Sequence, residues 1–270
     1  MRKLRCNVVV EQVWVGNSFR NFNYLVACPE TGEALAIDPL DFGKCLAVAK
    51  RNGWTITQIL NTHEHGDHTG GNKGMVAATG AQIIAHKNAG NRIPNMDRGV
   101  GAGDLVKVGK TVELECLDTP GHTMSHICLL SHTEQPALFS GDTLFNAGAG
   151  NCHNGGHPEE LYETFATQLD KLAPETSLYP GHDYLVNNLE FTLDREPDNA
   201  VAAKMLKDYR NQDPDNALVT TLALERKMNA FFRLSSPGVV AKMRRDFPEL
   251  GESPSPKDVF LKLRELRNSW

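Results

Sequence analysis

The chain has 270 residues, 40% of them hydrophobic and 23% charged, with a formal charge of −5. That composition gives ample capacity for a core, allows one large domain or one domain with an appendage, and excludes a disordered chain. The negative balance argues against nucleic acid as the general partner, and no stretch approaches the ~18 apolar residues that span a bilayer.

In chain order, the N-terminus offers Arg2, Lys3 and Arg5 but only a short valine run at Val8–Val10, so no secretory leader is expected. Val8–Val15, Phe22–Ala27 and Ala34–Ile37 read as strands, the last two joined by the turn Pro29-Glu30-Thr31-Gly32. Helical spacing of apolar residues predicts a helix over Leu40–Asn52 that stops at Gly53. A strand over Ile56–Asn61 then runs into T-H-E-H-G-D-H-T-G-G, Thr62 to Gly71. Next come a helix over Gly71–Thr79 stopped by Gly80 and a strand over Gln82–Ala85. Further strands are predicted over Asp104–Val108, Thr111–Asp118, Ile127–Ser131 and Ala137–Ser140, then a helix over Pro158–Lys171 and a strand over Thr176–Leu178.

After Tyr184 the texture changes. Leu185–Glu196, Pro197–Asn211, Thr220–Lys227, Pro237–Arg245 and Pro256–Arg267 carry helical periodicity with no strand signal. A boundary is therefore placed there, dividing a catalytic domain over 1–184 from a small helical domain over 185–270. Six cysteines (Cys6, Cys28, Cys45, Cys116, Cys128, Cys152) make no C-x-x-C pair and sit in apolar segments, a pattern of reduced thiols in a cytoplasmic protein.

The chemistry concentrates in His63, His65, Asp67 and His68. Imidazole and carboxylate are donors that zinc, iron(II) and manganese(II) accept, whereas a structural zinc site would usually draw on cysteine, and the run has none. Three isolated donors recur just past predicted strands, in P-G-H (His122), S-G-D (Asp142) and P-G-H (His182). A preceding glycine lets the backbone turn sharply and aim the next side chain across a cleft.

H-x-H-x-D-H followed by His122, Asp142 and His182 resembles the metallo-β-lactamase superfamily. The resemblance implies an α/β fold, the αββα sandwich, with two divalent metal ions at one edge, zinc ahead of iron or manganese. It further implies that His63, His65 and His122 bind the first ion, that Asp67, His68 and His182 bind the second, and that Asp142 bridges them. Residue pairs in H-x-H point to one side of an extended segment, and Gly66 lets Asp67 and His68 turn toward a neighbouring ion, so the division is physically reasonable. Superfamily branches with Glu at the position of His65, secreted β-lactamases and nucleases with basic arms fit less well.

Asn23-Tyr24-Leu25, Ala36-Ile37-Asp38-Pro39, T-P-G-H-T at Thr119–Thr123 with Ser125-His126, F-S-G-D-T-L-F at Phe139–Phe145, P-G-H-D-Y at Pro180–Tyr184 and E-R-K-M-N-A-F-F-R at Glu225–Arg233 are similar to glyoxalase II, the hydroxyacylglutathione hydrolase family. The implied activity is hydrolysis of S-2-hydroxyacylglutathione thioesters such as S-D-lactoylglutathione, by a hydroxide held between two metals, with Asp67 and Asp142 at the catalytic centre. The implied partner is a small-molecule thioester, with neither nucleic acid nor membrane. Asp38 and His126 are candidates for orienting the ligands, with ordinary packing as the alternative.

For the thiol half, the resemblance points to Tyr184, Arg264 and Arg267, and to Asn151 and His153 where the family carries a basic residue and a tyrosine. Arginine forks suit a carboxylate, whereas Asn151 cannot form an ion pair. A different thiol carrier is thus one alternative, and a mononuclear-iron persulfide dioxygenase is another. Cys152, beside this loop, has no assigned base and is expected to be incidental.

Overall fold

The computed structural model describes residues 8–270; Arg2, Lys3, Arg5 and Cys6, on which part of the N-terminal reading falls, lie outside them. The chain first lays down β1 (Val9–Trp14), β2 (Phe22–Ala27), β3 (Glu33–Ile37), α1 (Phe42–Asn52), β4 (Thr55–Leu60), α2 (Gly66–Thr69), α3 (Asn72–Thr79), β5 (Gln82–His86) and β6 (Arg98–Val100). These strands form one sheet in sequence order, antiparallel from β1 to β3 and parallel from β3 to β6. A second sheet follows from β7 (Leu105–Val108), β8 (Val112–Asp118), β9 (Ile127–Ser131) and β10 (Ala137–Gly141), then the short hairpin β11 (Leu144–Phe145) and β12 (Gly148–Ala149), α4 (Pro158–Thr167) and β13 (Ser177–Pro180). The remainder is α5 (Leu185–Arg195), α6 (Ala200–Tyr209), β14 (Thr220–Thr221), α7 (Leu222–Met228), α8 (Pro237–Asp246) and α9 (Pro256–Arg267). The second sheet has the order β14-β13-β10-β9-β8-β7.

Alternation along each strand builds the layers. Phe22, Tyr24 and Val26 of β2 meet Leu114, Leu129 and Phe139 of the second sheet in the central core, while Leu25 and Ala27 face Cys45, Ala49 and Met75 under α1 and α3. Leu130, Leu138 and Leu178 turn the opposite way, toward α4 and the C-terminal helices at Phe165, Phe231 and Phe260. This is the expected αββα sandwich. Because β2 is buried on both faces, its sequence does not alternate with exposed polar residues; its one polar member, Asn23, is buried and donates to Asp38 O.

Differences from the sequence reading have local causes. The first helix starts at Phe42 because the Asp41 side chain accepts from Lys44 N. The predicted Pro158–Lys171 helix breaks at Gln168, whose side chain donates to Asp118 O, and only a 3₁₀ turn follows over Leu169–Lys171. The absence of strand after residue 184 is corrected by β14, which adds to the edge of β13. Two threonines carry too little pattern to reveal a strand whose partners, Ser177 and Leu178, lie so far back in the chain. Among the described residues, no helix is long and apolar enough to cross a membrane. Cys28, Cys45, Cys116, Cys128 and Cys152 are free thiols.

The C-terminal helices do more than cover the sheet. Glu225, fully buried on α7, accepts from Thr220 Oγ1 at 2.7 Å, from Ala147 N at 2.8 Å and from Asn229 Nδ2 at 3.2 Å. Asn229 Nδ2 also donates to Gly148 O at 3.1 Å, so α7 holds the β11–β12 hairpin from both sides. Burial pushes the Glu225 carboxyl up to about 7, although the donors from Thr220 and Ala147 pull the other way. A raised folded-state value means stability that is full at pH below about 4.5 and lost as pH rises through about 7. The difference in urea-unfolding stability between the metal-free wild type and Glu225→Gln is expected to change by about 3 kcal/mol over that window. Parallel pH profiles for the two proteins would refute it.

Candidate metal centre

The His run begins where β4 ends. Asp38, with φ of +48°, accepts from Thr62 N at 2.8 Å and from Thr62 Oγ1 at 2.7 Å, pinning the first residue of the run to the end of the neighbouring strand. Thr62 Oγ1 then accepts from His63 Nδ1 at 3.0 Å, and Asp38 Oδ2 accepts from His68 Nδ1 at 2.9 Å. The chain turns at His65 into α2, which carries Asp67 and His68. Asn61 Nδ2 donates to His68 O at 3.1 Å and braces the turn.

His122, Asp142 and His182 arrive from the loops after β8, β10 and β13. Gly121 and Gly141 do have positive φ, +144° and +46°, as a sharp turn requires. Gly181 does not. Its role is close approach, since a Cβ there would lie 2.3 Å from Asp142 Oδ1. Asp142 itself is held through its backbone, donating N–H to His126 Nε2 at 3.1 Å, while His126 Nδ1 lies 2.9 Å from Thr119 Oγ1 and 3.0 Å from Thr143 Oγ1. Asp38 and His126 therefore both orient donors.

All seven sequence-predicted donors converge. Three clusters, each with ligand atoms within 4.8 Å of one another, are formed by His63, His65 and His122; by His63, His68 and Asp142; and by Asp67, His68 and His182. His65 Nδ1 lies 3.0 Å from both His63 Nε2 and His122 Nε2. His68 Nε2 and His182 Nε2 are 3.2 Å apart, and Asp67 Oδ2 is 3.5 Å from His182 Nε2. Asp142 stands between the groups, with Oδ2 at 3.5 Å from His122 Nε2 and 3.2 Å from His182 Nε2, and Oδ1 at 3.3 Å from His68 Nε2. Four-coordinate sites with metal–nitrogen bonds of about 2.0–2.1 Å have donor–donor edges of roughly 3.3 Å, so these spacings fit.

The outward nitrogens decide what the inward ones are. His65 Nε2 donates to Asn154 O at 3.1 Å, His122 Nδ1 to Asn151 O at 2.6 Å and His182 Nδ1 to Phe19 O at 2.7 Å, in addition to the two contacts of His63 and His68. A neutral imidazole has one N–H, and in each of these rings the outward nitrogen can use it, which leaves the five inward nitrogens free to ligate. Asp142 Oδ1 is likewise buried with no hydrogen-bond partner. Only a cation relieves such a cluster, and divalent metal ions fit the donor set.

Electrostatics agree. Burial holds His63 well below the usual histidine range and lowers His122 to about 4, while burial also depresses His126. These rings stay neutral, as ligation requires. Burial opposes charge on His68 too, but the Asp142 and Asp38 carboxylates prevail and raise it. Burial also resists ionisation of Asp142, yet His182 and His68 keep it far below the usual carboxylate range. The pair thus marks where positive charge is stabilised.

Asn151, His153, Tyr184, Arg264 and Arg267 line a single cavity of about 280 Å³ together with Phe145 and Asn188. Tyr184 stacks on His182 at 4.9 Å between centroids, which joins this cavity to the histidines. Larger cavities of about 470 and 520 Å³ lie at Tyr162–Phe231 and at Val76–Pro94; none of the three is lined by a donor, and it is the Tyr184–His182 stack rather than size that ties the smaller one to the site. Arg264 donates to Ala149 O at 2.7 Å and to Asn268 Oδ1 at 2.9 Å, and Arg267 donates to Asn188 Oδ1 at 3.1 Å. Neither has a carboxylate partner among the described residues, and burial lowers Arg264 to about 10. Cys152 is half-buried and burial pushes its thiol up to about 11, so it remains a thiol with no base beside it.

Glu64 was not singled out in the sequence, although it lies inside the run. Its Oε2 accepts from Thr123 Oγ1 at 3.0 Å and Ser125 Oγ at 2.8 Å, and Oε1 pairs with Arg92 at 3.0 Å. It therefore fixes the His122 loop against His63 and His65. Its place between two histidines was the available signal.

Residues 23–199 match the model of the metallo-beta-lactamase superfamily, and residues 183–270 that of the hydroxyacylglutathione hydrolase C-terminus. The chain is 66% identical to a hydroxyacylglutathione hydrolase of Polaromonas sp. (strain JS666) and 62% identical to one of Nitrosococcus oceani, each over 97% of this chain and 100% of the relative. Among solved structures, that of ETHE1 from Myxococcus xanthus is similar with a TM-score of 0.65 and 25% identity, covering 97% of this chain and 99% of that one.

Proposed function

Since the chain belongs to the hydroxyacylglutathione hydrolase family of the metallo-β-lactamase superfamily, we propose that its convergent donors hold two divalent ions, with Asp142 between them. The protein is a metal-dependent thioester hydrolase of glyoxalase II type, cleaving S-2-hydroxyacylglutathione to a 2-hydroxy acid and glutathione. The first group is His63, His65 and His122, and the second is Asp67, His68 and His182. The observation that carries this reading is the convergence of five inward imidazole nitrogens, each on a ring whose outward nitrogen is already hydrogen-bonded, around a buried carboxylate oxygen without a partner. Zinc is the first choice for such borderline donors, ahead of iron or manganese, and elemental analysis of purified protein decides it. A mononuclear-iron dioxygenase would leave Asp67, His68 and His182 without a use.

Bound there, the ions would supply a nucleophile at neutral pH and a sink for charge developing on the thioester carbonyl oxygen. The chain's own work is orientation. Asn151 O, Asn154 O, Phe19 O, Thr62 and Asp38 fix ring tautomers, and His126 fixes Asp142. The cavity beside Tyr184 receives the thiol half, with Arg264 and Arg267 facing its carboxylate and Asn151 and His153 at its amides. The division near residue 184 is then one of chemistry, donors before it and carrier contacts after it, although the two parts share a core. The small acidic chain and its free thiols support a cytoplasmic enzyme acting on a small molecule rather than on nucleic acid or membrane.

Asn151 and His153 are the test of the carrier. In a panel of lactoyl thioesters differing only in the thiol, Asn151→Lys with His153→Tyr is expected to raise kcat/KM for S-lactoylglutathione about tenfold, the size of one charge-assisted contact. A thioester of an uncharged, truncated thiol should change less than about twofold. Equal changes across the panel would show that these positions do not touch the thiol.

A further inference from the structure

We infer that Asn21 is a positioning residue for the second metal group, its carboxamide holding Asp67 in the orientation that lets this carboxylate share an ion with His68 and His182. The inference rests on the dinuclear reading above. Within that group Asp67 is the loose member: its side chain is 26% exposed, against 1% for His68 and 3% for His182. A carboxylate on a four-residue helix at the rim has little packing to fix its torsions, so something must hold it.

Asn21 Nδ2 donates to Asp67 O at 3.1 Å and to Asp67 Oδ2 at 3.2 Å. One amide nitrogen thus serves two acceptors of one residue, tying the carboxylate to its own carbonyl. Oδ2 is also the oxygen that faces His182 Nε2 at 3.5 Å and His68 Nε2 at 3.7 Å. The amide is itself fixed: Asn17 Nδ2 donates to Asn21 Oδ1 at 2.7 Å, and Asn21 N donates to Asn17 Oδ1 at 3.1 Å. That pairing decides which end of the carboxamide meets Asp67, and Asn21 is only 1% exposed.

The same loop, between β1 and β2, supplies Phe19 O to His182 Nδ1. It therefore orients two donors of the second group and none of the first, whose His65 and His122 are oriented by Asn154 O and Asn151 O. The path of the loop is also held by contacts that do not involve the Asn21 side chain. Arg20 Nε donates to Asp183 O at 2.9 Å, Asp183 N donates to Arg20 O at 3.0 Å, and Phe22 N donates to Gly181 O at 2.8 Å.

The test is zinc binding to the metal-free full chain, measured by chelator competition with native mass spectrometry to count ions. Wild type is expected to take up two. Asn21→Ala should bind the first as tightly as wild type and the second about 10–100-fold more weakly, the usual cost of losing a partner behind a ligand. Asn17→Ala, which keeps the carboxamide but frees its orientation, should weaken the same site by less. Intact binding at the first site serves as the control for folding. Two unaltered sites in Asn21→Ala would overturn the inference, as would equal losses at both. A wild type that binds one ion in total would overturn the dinuclear assignment itself, and this inference with it.

Discussion

Exhaustive chelation is expected to abolish thioester hydrolysis, and added divalent metal to restore it in the wild type but not in Asp142→Ala. The loss should be at least about 10³-fold, or about 4 kcal/mol of transition-state stabilisation. Asp142 is the most consequential donor because it alone reaches both groups, through Oδ2 toward His122 and His182 and through Oδ1 toward His68. It is also buried, at 6% exposure, so no water takes over its charge cheaply. His65→Ala should be equally inactive by a different route, since it strips one nitrogen from the first group and leaves the second intact. Metal counts separate the two variants: His65→Ala keeps the second group's ion, whereas Asp142→Ala weakens both. Activity that survives chelation, with elemental analysis showing no metal, would sink the assignment.

Much of this site was legible because its parts are side chains with distinctive chemistry. Six donors stand in or beside glycine-marked turns past predicted strands, and the strands themselves show as apolar runs bounded by turn residues. What was hidden is carried by groups that have no residue-type signature. Phe19, Asn151 and Asn154 act through backbone carbonyls, which every residue possesses. Gly181 looked like Gly121 and Gly141 in its motif, but only the structure distinguishes a turn from a close approach. Glu225 opens the family-like run Glu225–Arg233, but its burial depends on a hairpin some eighty residues earlier. β14 is two threonines whose strand character comes wholly from the edge they meet.

The second large effect concerns Arg264, whose burial without a carboxylate is costly in the free protein and makes sense once an anion occupies the cavity. Three of its five N–H groups are spent on Ala149 O and Asn268 Oδ1, which fixes the guanidinium and leaves the rest for a ligand. Phe231, 5.6 Å below the cation, braces it further. Arg264→Gln should raise KM for S-lactoylglutathione about 10–100-fold, from the loss of a charge-assisted bond of about 1.5–3 kcal/mol. kcat should hold within about threefold, because the contact is made equally in ground and transition states. The decisive comparison uses the same thioester with its glycine carboxylate converted to the amide. Wild type should lose affinity for it, and Arg264→Gln should lose little more. If the variant instead lowers kcat by the same factor for both substrates, Arg264 serves only to hold Ala149 and the β11–β12 hairpin in place.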